Sequence, residues 1–155
     1  MSPPYCCLGI DPGLGRTGYA YCLDKCVAEW GVITTPTGAS LASRLDTLHR
    51  DLLTLLRQNP SPTRVVVERF VAGPKLPVST AANVLHARGV ILLALHREGL
   101  TDLVIEPTAG QIKKAVTSDG RATKAKVRSF VKEYFHLHGA TGLDDSFDAL
   151  AAAML

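Results

Sequence analysis

The sequence predicts an α/β fold: a central mixed five-stranded sheet, three antiparallel strands and then two parallel ones, with helices on both faces. Two observations carry this. Three β-rich runs, YCCLGI, GYAYCL and CVAEWGVITT, stand at the start of the chain, separated only by DPGLGRT and by the Asp24-Lys25 turn, as in an antiparallel meander. Beyond them helical and strand patterns alternate, and RVVVE carries the continuous apolar run Val65-Val66-Val67, as in a strand buried on both faces.

The elements follow in order. After the meander, Ser40 is placed to cap a helix in which Leu41, Leu45, Leu48 and Leu52 recur at helical spacing until Asn59-Pro60. RVVVE is the next strand, and it ends in Glu68. The loop FVAGPKLPV leads to a second helix, opened by Ser79 or Thr80, carrying Val84, Ala87, Ile91 and Leu95 and closed near Gly99. DLVIEP is the fifth strand. Pro107 or Thr108 starts a short helix through Val116, SDG turns, a basic helix spans about Thr123 to Tyr134, and LDDSFDALAAAML forms the last helix.

Length and composition bound the function. The 155 residues, 46% apolar and 20% charged, suit one domain, 1–155, with a buried core and leave too little charge for a disordered segment. The net charge of +3 permits an anionic partner without requiring one. MSPPYCC has no basic stretch ahead of an apolar segment, so no export signal is expected, and Val90 to Leu95 is far short of a membrane span. A cytoplasmic protein without membrane contact is the expectation. Cys6, Cys7, Cys22 and Cys26 have no partner set for zinc and read as reduced thiols on neighbouring strands, the other reading being a disulfide from Cys22 or Cys26 to the Cys6-Cys7 pair. His136 and His138 read as surface residues, His86 and His96 as part of a helix, and Trp30 as core.

Four carboxylates stand where chemistry collects. Asp11 ends the first strand, and Pro12 keeps it out of helical angles, with Gly13, Gly15 and Gly18 around it. Glu68 emerges from a buried strand, where a lone charge is costly. Its compensating cation is either an arginine, Arg69 or Arg88, or a metal ion shared with Asp11. Asp145 and Asp148 are three apart and lie on one side of the last helix, while Asp144 and Asp148, four apart, align equally well. An all-oxygen cluster of this kind suits Mg²⁺ or Mn²⁺, and two such ions activate water for in-line attack on a phosphodiester. Six cations, Lys113, Lys114, Arg121, Lys124, Lys126 and Arg128, gather between positions 113 and 128, a pattern that gives affinity for phosphates.

The segment GIDPGLGRTGYA resembles the first motif of the RuvC family of Holliday-junction resolvases, in the RNase H-like nuclease superfamily. VVVERF, LHARGVILLAL, QIKKAVTSDGRATKAKV and DDSFDALAAA are similar to its later motifs, in the family's order, from about Leu8 to Ala153. The resemblance implies an RNase H-like fold and a homodimeric crossover junction endodeoxyribonuclease of DNA recombination and repair. It makes Asp11, Glu68, Asp145 and Asp148 the metal-binding and catalytic acids, preferring Asp145 over Asp144, with Lys113 and Lys124 near the scissile phosphate. It further implies symmetric, Mg²⁺-dependent cleavage leaving 5′-phosphate and 3′-hydroxyl ends, with two ions per active site, in the cytoplasm at the nucleoid, beside a branch-migration motor. Phe70, Lys75, Arg88 and the six clustered cations are the expected DNA contacts. One departure stands out: the family aromatic usually follows the second acid by three positions, whereas Phe70 follows Glu68 by two, before an unusual GPKLP loop.

Three classes compete on the sequence. A junction-cutting nuclease, or one for other branched DNA, needs all four acids. A junction-binding protein would use them structurally. A sugar-kinase or actin-like ATPase shares the opening Asp-x-Gly turn but needs two domains around its nucleotide.

Overall fold

In the computed structural model, which describes residues 5–155, one five-stranded sheet separates two helical layers. Residues 1–4, part of the segment read for an export signal, lie outside the described residues. Strands β1 (Cys6–Asp11), β2 (Arg16–Leu23) and β3 (Cys26–Thr34) form the antiparallel meander. β4 (Arg64–Val67) pairs parallel to β1, and β5 (Val104–Ile105) parallel to β4, in the order β3-β2-β1-β4-β5. The helices are α1 (Leu41–Gln58), α2 (Val78–Arg97), α3 (Ala109–Thr117), α4 (Lys124–Tyr134) and α5 (Asp144–Ala152).

Strand alternation sorts the side chains between two cores. Leu8, Ile10, Tyr21, Val65 and Val67 point toward α1 and α2, where they meet Leu48, Leu52, Ile91 and Leu95. Cys7, Ala20, Cys22 and Val66 point the other way, onto Val127, Val131, Phe147 and Leu150 of α4 and α5. By the same period, Asp11, two residues past Gly9, and Glu68, two past Val66, belong to the α5 face. The parallel pairing aligns Ile10 with Val67, and the Glu68 N–H donates to the Ile10 carbonyl at 3.0 Å, so both acids leave the sheet side by side.

Gly9 and Gly18 let α5 come close. A Cβ on Gly18 would collide with the Asp145 carbonyl oxygen, and one on Gly9 with the Ala149 carbonyl oxygen. The helix backbone therefore rests directly on β1 and β2, which fixes its rotation.

The caps mostly follow the sequence. The Ser40 hydroxyl accepts from the Ser43 N–H, Thr108 and Gln111 form a capping box, Thr123 caps α4, and Gly99 (φ 74°) ends α2 with the Leu100 N–H donating to Leu95. Four expectations need correction. α2 starts at Val78 behind Pro77 without a side-chain cap, one residue before Ser79, since the fixed φ of Pro77 suits a helix start. Leu41, in the first turn of α1, projects past the edge of the core and is exposed. Trp30, on the sheet's edge strand, is half-buried and packs edge-on against Phe147. α2 also continues the apolar run well beyond Val90–Leu95: its 20 residues are long and apolar enough to cross a membrane by length and composition, while Ala87, Ile91, Ala94 and Leu95 belong to the core under α1.

All four cysteines are free thiols. Cys7 and Cys22 are directly opposed across β1 and β2, and burial pushes them up to about 11 and about 12.

Candidate active site

Five elements meet at the carboxyl ends of β1 and β4. Asp11 closes β1, Glu68 follows β4, Lys113 comes from α3, Lys124 opens α4 and Asp148 comes from α5, all around one cleft of about 220 Å³ floored by Ile112, Val127 and Ala151. Asp145, one turn before Asp148, completes the acidic group.

Electrostatics show how close the acids are. Burial raises the Asp11 carboxyl to about 8, and the charges of Glu68, Asp148 and Asp145 add to the shift. Burial also raises Glu68, with Asp148 pushing in the same direction and Lys124 and Lys113 opposing it. Asp11 and Glu68 thus share a poorly hydrated corner, with Asp148 near both and Asp145 near Asp11.

Two protein cations stand against two of these acids. Lys124 Nζ donates to Asp148 Oδ2 at 2.9 Å, and this bond, ahead of the opposing desolvation, raises the lysine further. Lys124 occupies the first turn of a helix, where the dipole disfavours a cation, so the pair with Asp148 offsets a local cost. Arg16 Nε lies 3.0 Å from Asp145 Oδ2.

The rotation of α5 separates the two neighbouring aspartates. Asp145 faces Asp11, whereas Asp144 is exposed and pairs with Arg128 at 3.3 Å. Glu68 has neither of its expected arginine partners. Arg88 forms an ion pair with Glu106, and Arg69 is exposed, its backbone N–H donating to Pro107.

Among the described residues no three Asp, Glu, His or Cys side chains close into a ready-made ion cage. The chemistry of the donors nonetheless fits a hard divalent cation. They are all carboxylate oxygens, drawn from two strand ends and one helix, and their mutual repulsion is what such an ion would relieve.

The proposed DNA contacts divide into four groups. Lys113 and Lys124 line the acidic cleft. Lys114 and Arg121 are exposed, and Lys126 is exposed with Asp119 at 3.4 Å. Arg88 and Arg128 are committed within the protein: Arg88 to Glu106, and Arg128 to the Gly142 carbonyl, to Asp144 and to the face of Phe147 at 4.0 Å. These two, expected as DNA contacts, therefore also brace α2 and α5. Phe70, half-buried, and Lys75 line an open depression of about 880 Å³ that begins at Glu68 and ends at Gly110.

Two residues went unnoticed in the sequence. Arg16 had a legible signal, since it stands two before Gly18 and shares its face of β2. Lys132 follows Lys124 and Arg128 at four-residue steps on α4, and with them lines a groove of about 490 Å³ against α5.

Comparison with known proteins agrees over nearly the whole chain. The family described as Crossover junction endodeoxyribonuclease RuvC matches residues 7–155. Proteins of that name from Rubrobacter xylanophilus and Heliobacterium modesticaldum are 38% and 39% identical over 151 residues, each alignment covering 95% of this chain and respectively 82% and 90% of the relative. Among solved structures, T. thermophilus RuvC in complex with Holliday junction substrate superposes with a TM-score of 0.87 at 26% identity, covering 97% of this chain and 91% of that one. The yeast mitochondrial Holliday junction resolvase Ydc2 (TM-score 0.67, 16% identity, covering 99% of this chain and 80% of that one) shares the fold.

Proposed function

The chain belongs to the RuvC family of crossover junction endodeoxyribonucleases, and from that premise we propose that it resolves four-way DNA junctions by symmetric phosphodiester hydrolysis at the Asp11 cleft, leaving 5′-phosphate and 3′-hydroxyl ends. The observation that supports the site assignment is that Asp11, Glu68 and Asp148 line one cleft with Lys113 and Lys124, with Asp145 near enough for its charge to act on Asp11. The family's nucleases depend on divalent metal; in this reading the four acids hold Mg²⁺, or Mn²⁺ in its place, two ions to a site. Bound there, such ions supply an activated water and neutralise the leaving oxygen.

The protein's own groups do the rest. The Asp11 carboxyl, held up near 8, keeps its proton at neutral pH until a cation displaces it, so ion uptake and proton release are coupled. Lys124 Nζ, placed by Asp148, is aimed into the cleft where charge develops on the phosphate, and Lys113 faces it from α3. Lys114, Arg121 and Lys126 extend the positive track outward and hold the backbone of the junction arms. Phe70, at the mouth of the loop depression, offers a ring for an unpaired base at the crossover.

Symmetric cutting needs two sites, and a second copy of the chain supplies the other. The outer face of α2 supports this: Leu85 and Leu93 are 51% and 45% exposed, and Gly89 between them has open space where a Cβ would stand, so another helix can approach closely. Leu85→Glu is expected to convert a dimer to a monomer by light scattering and to leave uncoupled single nicks. This nuclease domain, 1–155, works in the cytoplasm on nucleoid DNA, alongside a branch-migration motor.

The deciding experiment is cleavage of a mobile synthetic four-way junction mapped at nucleotide resolution. Paired nicks on opposed strands are expected with Mg²⁺ or Mn²⁺, and none with Asp148→Asn, which still binds the junction because repulsion of phosphate falls. Intact junctions in every metal condition, or equal cutting by Asp11→Asn, would sink the assignment.

A further inference from the structure

Arg16 opens β2, and strand alternation points it toward the face that α5 covers, together with Gly18, Ala20 and Cys22. Gly18 rests on the Asp145 carbonyl, so a backbone contact holds the first turn of α5 beside Arg16. The guanidinium Nε then lies 3.0 Å from Asp145 Oδ2, an oxygen screened from water that has no hydrogen-bond partner, so the contact is an ion pair without hydrogen-bond geometry. The two partners differ in freedom. The Arg16 side chain is 52% exposed and can turn to solvent, whereas Asp145 is 25% exposed on a docked helix and cannot follow.

We propose that Arg16 is the resident competitor for the divalent ion at Asp145: it neutralises this carboxylate while no ion is bound, yields it when one arrives, and so sets the divalent affinity of the site. The inference rests on the reading of the four acids as ion ligands. A cation withdrawn from a carboxylate must be replaced by something that binds it better, and a divalent oxygen-seeking ion meets that condition where a monovalent one does not. Arg16 also keeps the acidic corner from repelling itself apart in the ion-free protein, which the charges of Glu68, Asp145 and Asp148 acting on Asp11 otherwise favour. Lys124 covers Asp148 in the same manner, but its place in the cleft gives it a second task, so Arg16 is the cleaner probe.

The test is Mn²⁺ binding by calorimetry to the metal-free full chain, without DNA. Arg16→Gln is expected to bind Mn²⁺ about 5-fold more tightly, the scale of an exposed ion pair. Arg16→Lys should stay near the wild type, and the gain should vanish when Arg16→Gln is combined with Asp145→Asn. Unchanged or weaker binding by Arg16→Gln, while the wild type binds Mn²⁺, overturns the inference and leaves the ligand reading standing. A gain that persists beside Asp145→Asn also overturns it, because the effect is then general charge. If the wild type and Arg16→Gln both take up no Mn²⁺, the ligand reading falls and the inference falls with it.

Discussion

The two faces of the sheet are built from different residues. Toward α1 and α2 they are large: Leu8, Ile10, Tyr21, Val65 and Val67 meet a wall of leucines, and side chains hold the helices away from the strands. Toward α5 they are small: Gly9, Gly18, Ala20 and Cys22 meet Ala149, Ala151 and Ala152, and backbone touches backbone. The first face stabilises the domain. The second brings a helix near enough for its carboxylates to join those at the strand ends. A site assembled from three elements needs close approach, and small residues provide it at the expense of buried apolar area.

This contrast can be broken at chosen positions. The largest effect is expected from Gly18→Val, which drives a side chain into the Asp145 carbonyl: junction cleavage should fall more than about 10³-fold while circular dichroism still reports a folded chain. Retained cleavage would mean that α5 need not sit where it does. Leu52→Ala, on the other face, leaves a cavity in the core instead and should cost about 2–5 kcal/mol in urea unfolding, yet leave the cleavage rate of the folded fraction unchanged. Next comes Lys124→Ala. It should slow cleavage by roughly 10²-fold and weaken junction binding much less. Equal losses in both would reduce the lysine to a simple phosphate contact.

The smallest effect concerns pH. The folded Asp11 carboxyl lies above its unfolded value, so its contribution is fully present below about pH 4 and is lost as pH rises through about 8. The metal-free protein should therefore melt lower at pH 8.5 than at pH 6, on the order of a few degrees, and Asp11→Asn should flatten that slope. Glu68, shifted in the same direction, leaves a residual slope in the variant. An unaltered slope in Asp11→Asn would place the titrating group elsewhere.

Much of this was legible in local pattern. The meander, the alternating elements and the caps at Ser40, Thr108 and Thr123 follow from short-range rules, and strand parity alone assigns Asp11 and Glu68 to one face. The helix α2 begins one residue earlier than Ser79 because Pro77, with its φ preset for a helix start, takes the cap position without a side-chain hydrogen bond. The arginines were less legible still. The partners of Arg88 and Arg128 do not show in local pattern: Glu106 lies 18 residues from Arg88, and Gly142 and Phe147 lie 14 and 19 residues from Arg128.

By itself, then, the sequence determined which elements form and which carboxylates end them, because hydrogen-bond periodicity and capping act within a few residues. The tertiary structure decided which aspartate of the Asp144-Asp145 pair is the less exposed, which cations are held in ion pairs and which one stands beside Asp145. Helical spacing allows either aspartate to align with Asp148, and only the contact of α5 with Gly9 and Gly18 fixes the rotation of the helix and chooses between them.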